Sequence, residues 1–384
     1  MRIGIDASRA NKKQKTGVEW YAFFLIEHLK KLKTGPVQFG KYKGEPVEFI
    51  LYSETELKGS LAKLPEGWSS KVLHWPPKRF WTQIRLSLEM LFYKPDVLFI
   101  PAHVVPLIHP KRTVMTIHDV AATRFPKTYN LFERWYSLWS SRYALKHLWR
   151  IIVPSEFTKK ELRALVKLGE VRPHIHVVHH GYDKRYFQIE NKEEIEECLV
   201  RYGLKRPFFM SIGRLEIKKN TTRIIQAFSH VRESFVPQGF QLLLVGKPGY
   251  GYEHVEKVLE GSSYREDIVI PGWVDDRDLP YLVNAADIFI FPSLYEGFGL
   301  PLLEAFACGT PVVASRGNSL EEVGSNAAVF VDPEDEKEIA EAVKLLLTHS
   351  ELRAQRIQRG VARASEFSWK KSAEKTMDIL LGFS

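Results

Sequence analysis

Short, near-continuous apolar runs alternate with helical patterns along the whole 384-residue chain, and the alternation occurs twice. Runs of Val, Ile, Leu and Phe without polar interruption are how strands buried on both faces read. They predict strands at 2–7, 47–52, 71–75, 96–101, 113–117, 150–154 and 175–178. A second set is predicted at 207–212, 240–245, 267–270, 287–291, 311–314 and 329–331. Between them, Val18, Tyr21, Ala22, Leu25, Ile26 and Leu29 follow the spacing of one helix face. Ser155 is placed to cap a helix running through Lys167, and Asn220 to cap another before Ile224. Strand–helix alternation of this kind builds doubly wound α/β domains. One core seldom serves so long a chain, so two domains are expected. The first takes residues 1–185, a linker takes 186–206, the second takes 207–367, and a helix over 368–384 ends the chain.

Open parallel sheets bind ligands beyond the carboxyl ends of their strands, so chemistry is sought in the loops just after the runs. The stretch "SLYEGFGLPLLEAFACGTPVVAS" follows the run at 287–291 and places Glu296 and Glu304 among glycines and large apolar residues. A carboxylate in such company is costly unless something binds it. Gly297, Phe298, Gly299 and Leu300 lead into a helix with Pro301 at its first position. Glycines there admit a ligand to the backbone, and a helix N-terminus attracts phosphate. Glu304 would then accept from a ribose diol and Glu296 from a sugar ring. "SIGRLEIKKN" follows the run at 207–212 and sets Arg214 and Lys219 five residues apart, which suits a diphosphate, with Lys218 left to solvent.

In the first half, "TIHDV" puts His118 at the end of a strand. Gly17, ahead of the first helix, can offer backbone N–H groups, although the loop lacks the dinucleotide-binding glycine fingerprint. His179 and His180 match no zinc spacing and read as structural or linker residues. Residues 1–150 hold 25 Lys and Arg against 12 Asp and Glu, a balance of +13 within a net charge of +9. Trp75, Arg79, Phe80, Trp81 and Arg85 interleave aromatics with cations, and Lys12, Lys13 and Lys15 add to them. Such a surface suits anionic lipid headgroups. Two cysteines, Cys198 and Cys308, argue against a disulfide framework. No signal-peptide pattern and no apolar run long enough to span a bilayer is present, so a cytoplasmic protein is expected.

The motifs together resemble the retaining glycosyltransferase family 4. The resemblance rests on two glutamates separated by seven residues in "PSLYEGFGLPLLEAFACGTPVVAS", with "GRLEIKKN" upstream and "IHD" in the first half. It runs from "GIDASRA" to "FSWKKSAEKTMDILL". It implies an α/β GT-B fold of two Rossmann-like domains facing a cleft, with the last helix crossing back to the first. It implies sugar transfer from a nucleotide-diphosphate donor with retention. Arg214 and Lys219 would hold the diphosphate, Glu304 the ribose and Glu296 the transferred sugar. Backbone around Phe298 and Leu300 would help with phosphate and sugar, His118 would sit near the reacting carbon, and Gly17 against the diphosphate. Gly272, Trp273 and Val274 would meet the base. The subfamily most similar is that of mannosyltransferases using GDP-mannose, with a glycan or lipid-linked acceptor. No metal or other cofactor is implied. "TGVEWY" departs from the family pattern, and Glu19, on the first helix, could alter acceptor or sugar contacts. Two rivals stand beside this reading: a nucleotide-sugar epimerase of the same fold, and a nucleic-acid-binding protein suggested by the basic first half. The second leaves Glu296 and Glu304 unexplained.

Overall fold

The computed structural model describes every residue except 34, 36–42, 77–79, 103, 129–130, 168, 235–238 and 384. It forms two compact units, Met1–Gly181 with Ser368–Ser384, and Tyr182–Phe367.

The first unit is built on β1 (Arg2–Asp6), β2 (Glu48–Ser53), β3 (Trp68–Val72), β4 (Val97–Ile100), β5 (Thr113–Thr116), β6 (Arg150–Val153) and β7 (His174–Val177). The strands pair in the order β3-β2-β1-β4-β5-β6-β7, all parallel. β4, β5 and β6 are buried along their whole length, as their mainly apolar runs lead one to expect, and the burial extends to Thr113, Thr116 and Arg150. β3 lies at 68–72 instead of the expected 71–75. It is an edge strand whose Ser69, Ser70 and Lys71 face solvent, so no apolar run marks it; Trp68 stacks on Phe49 at 4.2 Å. The helix Trp369–Leu381, capped by Ser368, belongs to this unit. Trp369 stacks on Phe24, and Arg150 donates to the Ile379 carbonyl at 2.8 Å.

The expected basic-aromatic surface at 75–85 is different in the fold. Trp81 is buried, with its indole N–H donating to the Leu73 carbonyl, and Arg85 leans on Glu89 at 3.8 Å. Arg79 lies outside the described residues.

The second unit holds β8 (Phe208–Ile212), β9 (Gln241–Val245), β10 (Ile268–Gly272), β11 (Ile288–Phe291), β12 (Val312–Ser315) and β13 (Val329–Val331). Their order is β10-β9-β8-β11-β12-β13, again all parallel. In each sheet the winding reverses, between β1 and β4 and between β8 and β11, and that is where loops part to leave a crevice. Residues 186–206 are not a free linker. They carry the helix Lys192–Arg201, whose Ile195, Cys198 and Leu199 are buried in this unit's core. The polar stretch 190–197 is the solvent face of that helix and its cap. Asn220 does not cap the helix Thr221–Ser234. It sits in the left-handed region at φ 60°, and its amide donates to the Pro292 and Pro333 carbonyls instead. Ser155 does cap, at the Thr158 N–H, but its helix ends at Arg163.

Candidate active site

β8 and β11 pair directly, Ile288 opposite Phe209 and Phe289 opposite Met210. Their following loops, carrying Arg214 to Lys219 and Ser293 to Gly299, therefore leave the sheet side by side. The Leu294 N–H donates to the Lys218 carbonyl at 2.9 Å and joins them. Lys219 Nζ reaches Glu296 Oε1 at 2.5 Å, and both side chains are largely buried. The ammonium also lies 5.4 Å from the Phe291 ring centroid. Arg214, from the same loop, is exposed, whereas Lys218 is half-buried like Lys219 and not wholly solvated.

Three short polar side chains pin the glutamate loop from below. Ser315 Oγ and the Asn318 amide both donate to the Ser293 carbonyl, at 2.6 and 3.0 Å, and Ser319 Oγ donates to the Glu296 carbonyl at 2.8 Å. Gly299 has φ 105° and directs the chain into the helix Leu300–Ala307, where Pro301 takes the second position. A Cβ at Gly299 would stand 2.3 Å from Leu320 Cδ2. Phe298 is buried in the core, so it offers a ligand only its backbone, while Leu300 packs against the same core and stays partly exposed.

Glu304, on that helix, stands among a different set of charges. Its neighbours are Asp183, Arg185 and Asp276, and burial, with the two aspartates adding, pushes its carboxyl up to about 8. Arg185 Nε donates to Asp183 at 2.7 Å and its Nη1 to the Asp276 carbonyl at 3.3 Å. Tyr186 is buried beside them, and its hydroxyl is raised well above the ordinary range by burial and by Glu304. Glu296 and Glu304 thus serve two ends of one loop–helix element, with a fixed cation at one end and a carboxyl of raised pKa at the other. Asp183, Arg185 and Tyr186 join the site from the boundary of the expected first domain and linker, a stretch that belongs to the second unit. Their cue is "YDKRY", in which charged positions are framed by tyrosines.

The expected base-binding positions split. Gly272 ends β10 at φ 75°, and its carbonyl accepts from the Gly246 N–H at 2.9 Å. Trp273 follows with 44% of its surface exposed and Lys247 Nζ 5.4 Å from its ring, an open aromatic face with a cation beside it. Val274 is a core residue, buried at 2% exposure, so its side chain meets no ligand.

Gly17 and His118 belong to the first unit. Gly17 opens the helix Gly17–Leu29, is exposed, and has open space where a Cβ would stand. One turn on, the Tyr21 hydroxyl pairs with Thr116 Oγ1 at 3.0 Å, and the ring meets His118 edge-on at 4.6 Å. His118 Nε2 lies 3.0 Å from the Pro101 carbonyl, which only accepts, so this nitrogen carries the hydrogen. His180 packs in the same aromatic cluster, 4.5 Å from Tyr21, and burial holds its pKa well below the usual range. Glu19 closes a capping box: it accepts from the Thr16 N–H at 3.1 Å and pairs with Arg9 at 3.2 Å. Its departure from the family pattern therefore has a structural role at the helix start. Asp6, at the end of β1, is a further buried carboxyl that the sequence reading passed over; burial raises its pKa, and the Ser8 N–H donates to it at 2.9 Å. Among the described residues no cluster of three His, Cys, Asp or Glu side chains could hold a metal ion.

Comparison with known proteins bears on both units. Residues 16–186 match the model described as Glycosyltransferase Family 4, and residues 194–363 match Glycosyl transferases group 1. O-antigen chain mannosyltransferase B of Escherichia coli is 29% identical over 80% of this chain and 78% of its own. The serotype-specific mannosyltransferase WbdA of the same species is 32% identical over 48% of this chain and 23% of that longer protein. The sucrose-phosphate synthase structure from Thermosynechococcus elongatus superposes with a TM-score of 0.76 at 17% identity, covering 100% of this chain and 99% of that one. Matched across both units in sequence and in fold, the chain belongs to glycosyltransferase family 4, has the GT-B fold, and is a glycosyltransferase similar to mannosyltransferases.

Proposed function

We propose that the protein transfers mannose from GDP-mannose, with retention at the anomeric carbon, to a glycan or lipid-linked acceptor. The observation that carries this is the pairing of Lys219 with Glu296 beside exposed Arg214, at the carboxyl edge of β8 and β11. Two cations there can hold a diphosphate and stabilise the charge that grows on it as the sugar leaves. Glu296, held by Lys219, is positioned to accept from sugar hydroxyls, and Glu304 from the ribose. The exposed Trp273 ring with Lys247 offers a stacking face for the base. The departing phosphate can take the acceptor's proton on the face it leaves, so positioning and charge do the work without a protein nucleophile or a metal. The mannosyltransferase relatives support the choice of sugar. The protein is proposed to work at the cytoplasmic side of an anionic membrane, as a peripheral protein.

A donor screen tests this. GDP-mannose should bind more tightly than UDP- or ADP-sugars and should be consumed with a saccharide acceptor. Epimerised donor formed without any acceptor would favour the rival enzyme reading, and tighter binding of UDP-glucose would displace the mannose assignment.

A further inference from the structure

The described residues expose 17 large apolar side chains, and 11 of them fall between residues 80 and 135 of the first unit. They come from three segments that touch. The first runs from Phe80 through the π-helix Trp81–Leu86 into the helix Ser87–Phe92, with Leu91 and Phe92 exposed at 53% and 71%. The second is the loop holding Leu107 and Ile108, tied to the first by the Ile108 N–H on Ser87 Oγ at 3.2 Å. The third is the start of the helix Leu131–His147, where Leu131 is 85% exposed. It is tied to the others by the Phe80–Phe132 ring contact at 5.9 Å and the Tyr136 hydroxyl on the Val105 carbonyl at 3.3 Å. Phe80 itself holds a left-handed backbone at φ 66°, a conformation that a bulky residue adopts only at a cost.

Soluble monomers rarely leave so much contiguous apolar surface bare. The surroundings say what covers it. Residues 80–147 hold nine Lys and Arg against four Asp and Glu. Of those acids, Glu89 is buried and paired with Lys71. Arg134 and Arg142 are exposed on the helix Leu131–His147. On the same helix the rings of Trp135, Trp139 and Tyr143 stack in succession at 6.1 and 5.3 Å and line a shallow groove of about 340 Å³ with Arg142 and Lys146. Apolar side chains that can enter a bilayer, indoles at their border and cations behind them make up the pattern of an interfacial anchor. A second copy of the chain is disfavoured, because it would set one basic rim against another.

We infer that this face of the first unit seats on an anionic lipid bilayer. The inference deepens the peripheral-membrane part of the proposed function by naming the surface, which is the Leu91–Leu107–Leu131 face with Phe80 and Ile84 at its margin, rather than the cations and aromatics of 75–85 by themselves. In sedimentation with phosphatidylcholine vesicles containing one third phosphatidylglycerol, the protein should bind, and binding should fall with added salt and with neutral vesicles. The double variant Leu91→Asp, Phe92→Asp, whose sites are exposed and should not disturb folding, should bind about tenfold more weakly or worse. Arg134→Glu with Arg142→Glu should weaken binding and flatten its salt dependence, and emission from Trp135 should shift to the blue on binding. Absence of binding at low salt, or undiminished binding by the apolar double variant, overturns the inference. So does a dimer in sedimentation equilibrium that the double variant dissolves, which would assign the face to a second copy. Nucleotide-sugar turnover in the absence of vesicles separates the two readings. Turnover without vesicle binding defeats the face alone, and vesicle binding without turnover on any donor defeats the transferase reading alone.

Discussion

Arg214 and Lys219 are offered the same task by their loop but stand in different surroundings, and substitution should separate them. Arg214 is exposed, so Arg214→Ala should leave the melting temperature unchanged while lowering kcat by about two orders of magnitude, the usual effect of losing one preorganised charge contact. Lys219→Ala also strands Glu296, and losing one partner of a largely buried pair costs about 3–5 kcal/mol. It should therefore lower both kcat and the melting temperature. Equal stability of the two variants would show that the pair is not held as described. Glu304 makes a different prediction. Its folded carboxyl titrates near 8, against an ordinary value of 4.5. Between those values the folded state keeps a proton that the unfolded chain has lost. The stability from this group is therefore full below 4.5 and is lost as pH rises through 8. Gln cannot titrate, so Glu304→Gln should melt above the native protein at pH 9, with the gap closing toward pH 5. Parallel melting curves across that range would contradict the burial of the carboxyl. The two glutamates were legible in the sequence because acids among glycines and apolar residues demand a reason. Asp183 and Arg185 were not, because their neighbours Tyr182 and Tyr186 become core residues only once the second unit has folded around them.

At the scale of elements, the site depends on how closely the loops after β8 and β9 approach. Gly246 has φ 148°, and a Cβ on it would stand 1.8 Å from the Gly213 carbonyl oxygen, a backbone atom that cannot swing aside. Gly246→Ala should separate the two loops, destabilise the second unit by more than about 1 kcal/mol and lower kcat together with it. A variant with native melting and native turnover would mean that the loops have slack. The last helix gives a second test. Trp369 stacks on Phe24 and on His180 in the first unit. Chain truncation before Ser368 should therefore expose the first unit to proteolysis sooner than the second, and equal protection would oppose this. The strands were legible because burial on both faces leaves a continuous apolar signature. β3 shifted because an edge strand carries no such signature, and the helix Lys192–Arg201 was hidden by its polar outer face. Asn220 reads as a cap in one dimension; its bonds to Pro292 and Pro333 come from segments far away in the chain.

Across the whole molecule the charge divides unevenly. The first unit holds 33 Lys and Arg against 17 Asp and Glu, or +16, and the second 22 against 29, or −7. An anionic donor bound in the acidic unit must rely on the few cations placed there, above all Arg214, Lys219 and Lys247, and not on the unit's overall field. Contacts that close are weakly screened, whereas attraction of a basic surface to a membrane fades beyond about 10 Å at 0.1 M salt. Raising the salt should thus weaken donor binding only modestly while abolishing vesicle binding. Comparable salt slopes for both would argue that the donor is held by long-range attraction. The Glu296–Glu304 element and the Arg214–Lys219 loop are proposed to form one donor site. Calorimetric titration of native protein and Glu304→Gln with GDP-mannose, at a pH where both are folded, tests it most directly. The native protein should show saturable one-to-one binding and the variant at least about tenfold weaker binding, the loss expected for one hydrogen-bonding partner in a buried site. Equal affinity in the two proteins would contradict it.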